Sequence, residues 1–192
     1  MIYTEYKKAA EKHLKTCKAM LESINRLSTL DNSSLIVTRC KQDTLHNIYY
    51  LLGYTLEGIS TYSIYKHYQW PIQSSVKTNS INVNFSSRSN FTFYPKQPYM
   101  FCAHGHAFQV NQFEVLKATF SNSSIPIIDS SIPVDLEILA LFNQWSPELR
   151  YHESLRQYNY LFNTNIQVDI DKMSRLTALT ESIYNSLLQI VG

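Results

Sequence analysis

A chain of 192 residues with 44% hydrophobic and 17% charged positions carries enough apolar material for one substantial core, which excludes global disorder and requires no second domain. Lys and Arg number 17 against 15 Asp and Glu, and the resulting net charge of +2 excludes an overall nucleic-acid or membrane-surface footprint. Only 4 glycines stand against 14 tyrosines and 9 phenylalanines, a balance that favours helices over tight-turn architectures.

From Thr4 to Leu30 the apolar residues Ala10, Leu14, Cys17, Leu21 and Ile24 recur at steps of four and three, which predicts a long amphipathic helix. Asp31 to Ser34 supplies a turn with N-cap candidates, and a second helix is expected from Leu35 to Tyr68, stopping at Trp70-Pro71. The two form an antiparallel hairpin in this reading. Within the second helix, Gly53 and Gly58 each cost about 1 kcal/mol relative to Ala. Glu57 lies among apolar neighbours, where an unpaired carboxylate is not tolerated. Close approach of another helix backbone accounts for the glycines, and a cationic or hydrogen-bonding partner for the glutamate.

Ile81, Val83 and Phe85 alternate with polar residues, as do Phe91 and Phe93 after a Ser-rich turn, which predicts a small β-hairpin near 80–95, inserted over 79–98. Helix resumes from Ala107 to Phe120 and again from Pro133 to Trp145, where Pro133, Asp135 and Glu137 supply start chemistry. Ser121 to Ile132 reads as a loop. Ser146-Pro147-Glu148 opens a further helix carrying Arg150, Tyr151 and His152, and a last helix runs from Asp169 to Ile190. The expected fold class is all-α: a single domain, an antiparallel bundle of about five helices with the inserted hairpin.

Cys17, Cys40 and Cys102 are widely spaced and form no Cys-x-x-Cys pair, so they read as reduced packing thiols. The N-terminus lacks the apolar core of a signal peptide, and no apolar run approaches the ~20 residues that span a bilayer. The expectation is a cytoplasmic protein without a membrane contact.

Three short motifs occur in order. Gly53-Tyr54-Thr55-Leu56-Glu57, preceded by aliphatic residues, resembles the Gly-Tyr-x-x-Glu signature of the HEPN superfamily. Ala103-His104-Gly105-His106 followed by Phe113-Glu114 resembles that family's His-containing entry into its third helix, and Trp145-Ser146-Pro147-Glu148-Leu149-Arg150-Tyr151 resembles its Trp, then Arg-Tyr element. The resemblance implies a helical bundle, often a homodimer, from prokaryotic defence and toxin–antitoxin systems, frequently encoded beside a nucleotidyltransferase partner. It also implies that active members are metal-independent ribonucleases using an Arg and a His on a late helix, the His suited to be general base and the Arg to be the cation for the developing phosphorane. In those members a longer gap separates the two. Here only Tyr151 separates Arg150 from His152, an offset that turns the side chains about 200° apart on a helix.

Glu57 and Arg150 therefore have two readings. In one they form a buried ion pair that specifies packing. In the other, Tyr54, His104, His106 and Tyr151 join them in a polar pocket for a nucleotide or RNA phosphate. The reading adopted is a non-catalytic or degenerate HEPN-like module binding a nucleotide, RNA or protein partner. The alternatives are a ribonuclease with a rearranged site built from Arg150, His152 or His104, and a purely structural scaffold. No cofactor is expected, and no metal, because His104 and His106 lack a third ligand at characteristic spacing. Arg39 and His46 share a helix face two turns apart but precede the signature. The tyrosines from Tyr49 to Tyr68 read as core before base-stacking residues, and Lys7, Lys8, Lys12, Lys15 and Lys18 as a solvated face.

Overall fold

The computed structural model describes residues 2–27, 35–67, 69, 72–73, 116–117, 119–145, 149 and 165–192. Among them stand four helices and no strand element: α1 (Tyr3–Leu27), α2 (Leu35–His67), α3 (Leu136–Gln144) and α4 (Ile166–Val191). Among the described residues the all-α class holds. The predicted β-hairpin, the expected helix over 107–115 and the helix opening at Ser146 lie outside the described residues, apart from Leu149. Of the third predicted helix, the described end is a single turn closed by Phe120 N–H donating to Leu116 O at 3.0 Å, with both side chains buried.

The apolar stripe of α1 meets α2 as its spacing predicts: Ala10, Leu14, Cys17, Leu21 and Ile24 are all buried. The pair is antiparallel, since Tyr3 stacks beside Tyr62 and Tyr65 while Cys17 Sγ donates to Ile48 O at 3.7 Å. Gly58 sits at the closest point. A Cβ there would meet Tyr6 O at 2.9 Å and Ala10 Cβ at 3.1 Å, so glycine at this position is what lets the α1 backbone approach. Helix α4 completes the three-helix core with Met173, Leu176, Ile183 and Leu187, while Ile190 in its last turn is exposed. An ion pair at 2.7 Å between Lys18 of α1 and Glu181 of α4 ties the outer edges of the two helices.

Two helix starts differ from expectation. Helix α3 begins at Leu136, not Pro133, because Asp135 is the N-cap, its carboxylate accepting from Glu137 N–H at 2.8 Å. The other oxygen of Asp135 pairs with Arg175 of α4, which also reaches Glu137 at 3.2 Å and Asp171 at 3.0 Å. One carboxylate thus caps α3 and clamps it to α4. Helix α4 starts at Ile166, three residues before the expected Asp169, because Asn165 accepts from Gln167 N–H at 3.0 Å.

Every residue of α2 from Thr55 to Tyr65 is buried, polar ones included. An enclosed helix must satisfy its polar groups internally. Thr55 does so on Leu51 O at 2.9 Å, and Thr177 of α4 on Met173 O at 2.7 Å. Ser63 Oγ and Thr180 Oγ1, both fully buried, have no hydrogen-bond partner among the described residues. Thr180→Val keeps the shape and removes the desolvated hydroxyl, so the variant is expected to be about 1 kcal/mol more stable in urea unfolding. An equal or lower midpoint would show that the hydroxyl is satisfied.

Candidate functional site

Trp145 carries the first of the geometry. It is the C-cap of α3, and its extended backbone (φ −63°, ψ 137°) ends the helix and sends the indole across α2. The ring lies directly on Gly53: a Cβ there would fall inside the indole, against Cε2, Cδ2 and Nε1. The expectation of a helix backbone against both glycines is therefore met at Gly58 and corrected at Gly53, where an aromatic ring fills the space. The indole N–H donates to Tyr50 O at 3.2 Å, adding a second bond to a carbonyl inside α2.

Two further hydrogen bonds fasten the same segment to α2. Tyr49 OH donates to Leu141 O at 2.7 Å, in the last turns of α3, and His46 Nε2 lies 2.8 Å from Leu149 O. A carbonyl only accepts, so His46 carries a proton on Nε2. This role accounts for His46 structurally, while Arg39, its expected face-mate, is exposed. Residues 141, 145 and 149 are thus held along the stretch of α2 from His46 to Gly53.

Glu57 lies one turn beyond Gly53 on the same helical face, 6% exposed. Tyr54, half-buried, turns an edge toward Trp145 at 5.3 Å between ring centroids and 90° between planes. It also meets Tyr50 at 4.8 Å and His13 at 6.4 Å. Of the residues expected to bind, Tyr54 and Glu57 are placed on this part of α2; His104, His106, Arg150, Tyr151 and His152 lie outside the described residues. The expected pairing of Glu57 with Arg150 lies there too.

His13 is the residue that sequence reasoning passed over. It sits three positions after Ala10 and four before Cys17, on the flank of the α1 stripe, and that spacing was the available signal. Its imidazole is held below the ordinary histidine range, first by burial and then by the neighbouring charge of Lys12. The neutral ring suits an aromatic setting, with Tyr54 beside it and Trp145 beyond.

Three of the lysines of α1 have partners: Lys15 pairs with Glu11 at 2.6 Å, Lys18 with Glu181, and Lys7 stands 5.5 Å above the Tyr62 ring, while Lys8 and Lys12 are exposed. Tyr49, Tyr62 and Tyr65 are buried, as core residues should be. Cys17 is a buried packing thiol with its pKa raised by burial to about 12, whereas Cys40, expected to pack, is exposed. No group of three His, Cys, Asp or Glu side chains able to hold a metal occurs among the described residues, and no described helix is long and apolar enough to cross a membrane. Chemically, the site offers aromatic edges, a neutral imidazole and an enclosed carboxylate.

Compared with known proteins, the chain matches no family model, no curated protein and no solved structure.

Gly53→Ala is expected to destabilise the protein by about 3 kcal/mol, because displacing the indole outweighs the helix-propensity gain of about 1 kcal/mol. In a Trp145→Ala background the same change becomes neutral or stabilising, and a double-mutant cycle by urea unfolding reads this reversal of sign. Additive effects would mean that Trp145 does not occupy the Gly53 notch. His13 generates a pH dependence with a definite sign. The unfolded chain takes up a proton on this side chain at a higher pH than the folded one, so folded-state stability is full above about pH 6.5 and falls below it. His13→Gln is expected to flatten that component of thermal midpoints measured between pH 7 and 5.

Proposed function

We propose that this chain is a HEPN-like helical module that binds a nucleotide or RNA, without cleaving it, at the face of α2 carrying Tyr54 and Glu57. The reading is supported by one observation above all: Trp145 seats its indole on Gly53, so two of the three elements on which the family resemblance rests touch each other. Side chains around that contact suit a base and its polar edge. Tyr54 is half-buried and supplies a ring for stacking, and Glu57 supplies an acceptor one turn away. A homodimer and a nucleotidyltransferase partner, both implied by the resemblance, belong to the same reading.

The scaffold alternative draws on a different observation, the burial of Glu57 within the fully enclosed stretch of α2. A carboxylate so placed specifies packing in that reading. The two separate by titration. Nucleotides and short RNAs, followed by calorimetry and thermal melts, are expected to stabilise the folded protein by roughly 2.7 kcal/mol at a hundredfold excess over Kd. Tyr54→Ala, with its fold checked by circular dichroism, is expected to lose that gain. No heat and no shift with any ligand would leave the scaffold. Incubation with RNA in EDTA tests the ribonuclease alternative: cleavage would replace binding by catalysis.

A further inference from the structure

The outward face of α1 carries an alternating pattern of charge. Glu11, Lys15, Glu22 and Arg26 lie at steps of four, seven and four, which places all four within about 60° of the helix circumference. Their side chains are 46%, 74%, 68% and 78% exposed, and within the chain they pair locally, Lys15 with Glu11 at 2.6 Å and Arg26 with Glu22 at 3.1 Å. Beside them, α1 and α4 bound an open groove of about 660 Å³ whose lining includes the small residues Ala19 and Ala178.

The order of these charges is antisymmetric about a point between Lys18 and Ala19. Laid antiparallel on itself about that point, α1 sets Glu11 opposite Arg26 of the second copy and Lys15 opposite Glu22 of the second copy. The two-fold repeats both pairs at the other end. In a parallel arrangement in register every charge would meet its like. We infer that this face is a two-fold docking surface for a second copy of the chain, with α1 antiparallel to α1 and small Ala19 near the crossing point. The inference rests on the homodimer named with the proposed function and deepens it by assigning a surface and an orientation; it is independent of ligand binding at α2, so its failure leaves that binding standing.

The four intermolecular contacts extend the existing local pairs into charge networks spanning about 22 Å of helix. Exposed pairs of this kind are individually weak and screened by salt, so the association is a weak one that loosens with ionic strength. Sedimentation equilibrium on the full chain reads it directly. The wild-type chain is expected to be dimeric at low salt and to dissociate toward monomer as salt rises. K15E and E22K each bring like charges together at both ends of the two-fold and are expected to raise the dissociation constant roughly tenfold. The double variant K15E/E22K restores opposite charges across the axis and is expected to recover the wild-type constant, although its local pairs with Glu11 and Arg26 stay broken. That recovery separates docking from any effect inside one chain, and circular dichroism confirms that each variant is folded. A wild-type monomer at low salt, a dimer indifferent to salt, or a double variant as weak as the single ones would overturn the inference.

Discussion

The indole of Trp145 in the space left by Gly53 is the contact on which the arrangement of this protein turns. A helix normally presents Cβ atoms along its whole surface, and a single residue without one makes a notch as deep as a methyl group. Here the notch admits a flat ring edge-on to Tyr54, and the ring's N–H reaches a carbonyl of the helix it lies on. The end of α3 is thereby fixed in position and in rotation about α2. The bonds from Tyr49 to Leu141 O and from His46 to Leu149 O then hold the chain on either side. Tyr49 and His46 of α2 and Trp145 at the end of α3 each donate to a backbone carbonyl, so the clamp is made without any carboxylate partner.

A second constraint follows from the position of α2. It is packed by α1 on one side and α4 on another, and its residues from Thr55 to Tyr65 are enclosed all round. Such a helix gains from burial on every face, yet this one spends part of that gain on Thr55, Glu57, Ser60, Thr61 and Ser63. Hydroxyls that return to their own helix, as Thr55 does on Leu51 O, cost little. Ser63, whose hydroxyl has no hydrogen-bond partner among the described residues, marks a place where the polar pattern exceeds what packing alone requires, and it lies on the same helix as the Gly-Tyr-x-x-Glu segment.

Much of this was legible in advance, and the reasons differ from element to element. The α1 stripe from Ala10 to Ile24 was readable because one-sided burial imposes a 3.6-residue period. The glycines announced a close approach, since nothing else recovers the propensity they sacrifice. What approaches was not readable: one glycine admits a backbone and the other a ring, and both leave the same trace in the sequence. The start of α3 was misplaced by three residues because Pro133 and Asp135 both carry start chemistry. Only the actual bond from Glu137 N–H, with Arg175 arriving from α4 on the other oxygen, selects Asp135. His13 escaped notice because a lone histidine on the flank of a stripe has no motif, and its significance comes from Tyr54 on a different helix.

By itself the sequence determined the helical class, the extents of α1 and α2 to within a few residues, and the existence of a structural demand around Gly53 and Glu57. These follow from local rules, namely periodicity, capping and propensity, which act over one or two turns. Tertiary structure decided that Trp145 answers the demand at Gly53 and Tyr6 and Ala10 the one at Gly58. It also decided that His46 is a structural donor and that His13 joins the aromatic corner. Each of those outcomes depends on contacts between residues tens of positions apart. Their geometry is set by how whole helices pack, and no short-range pattern encodes it.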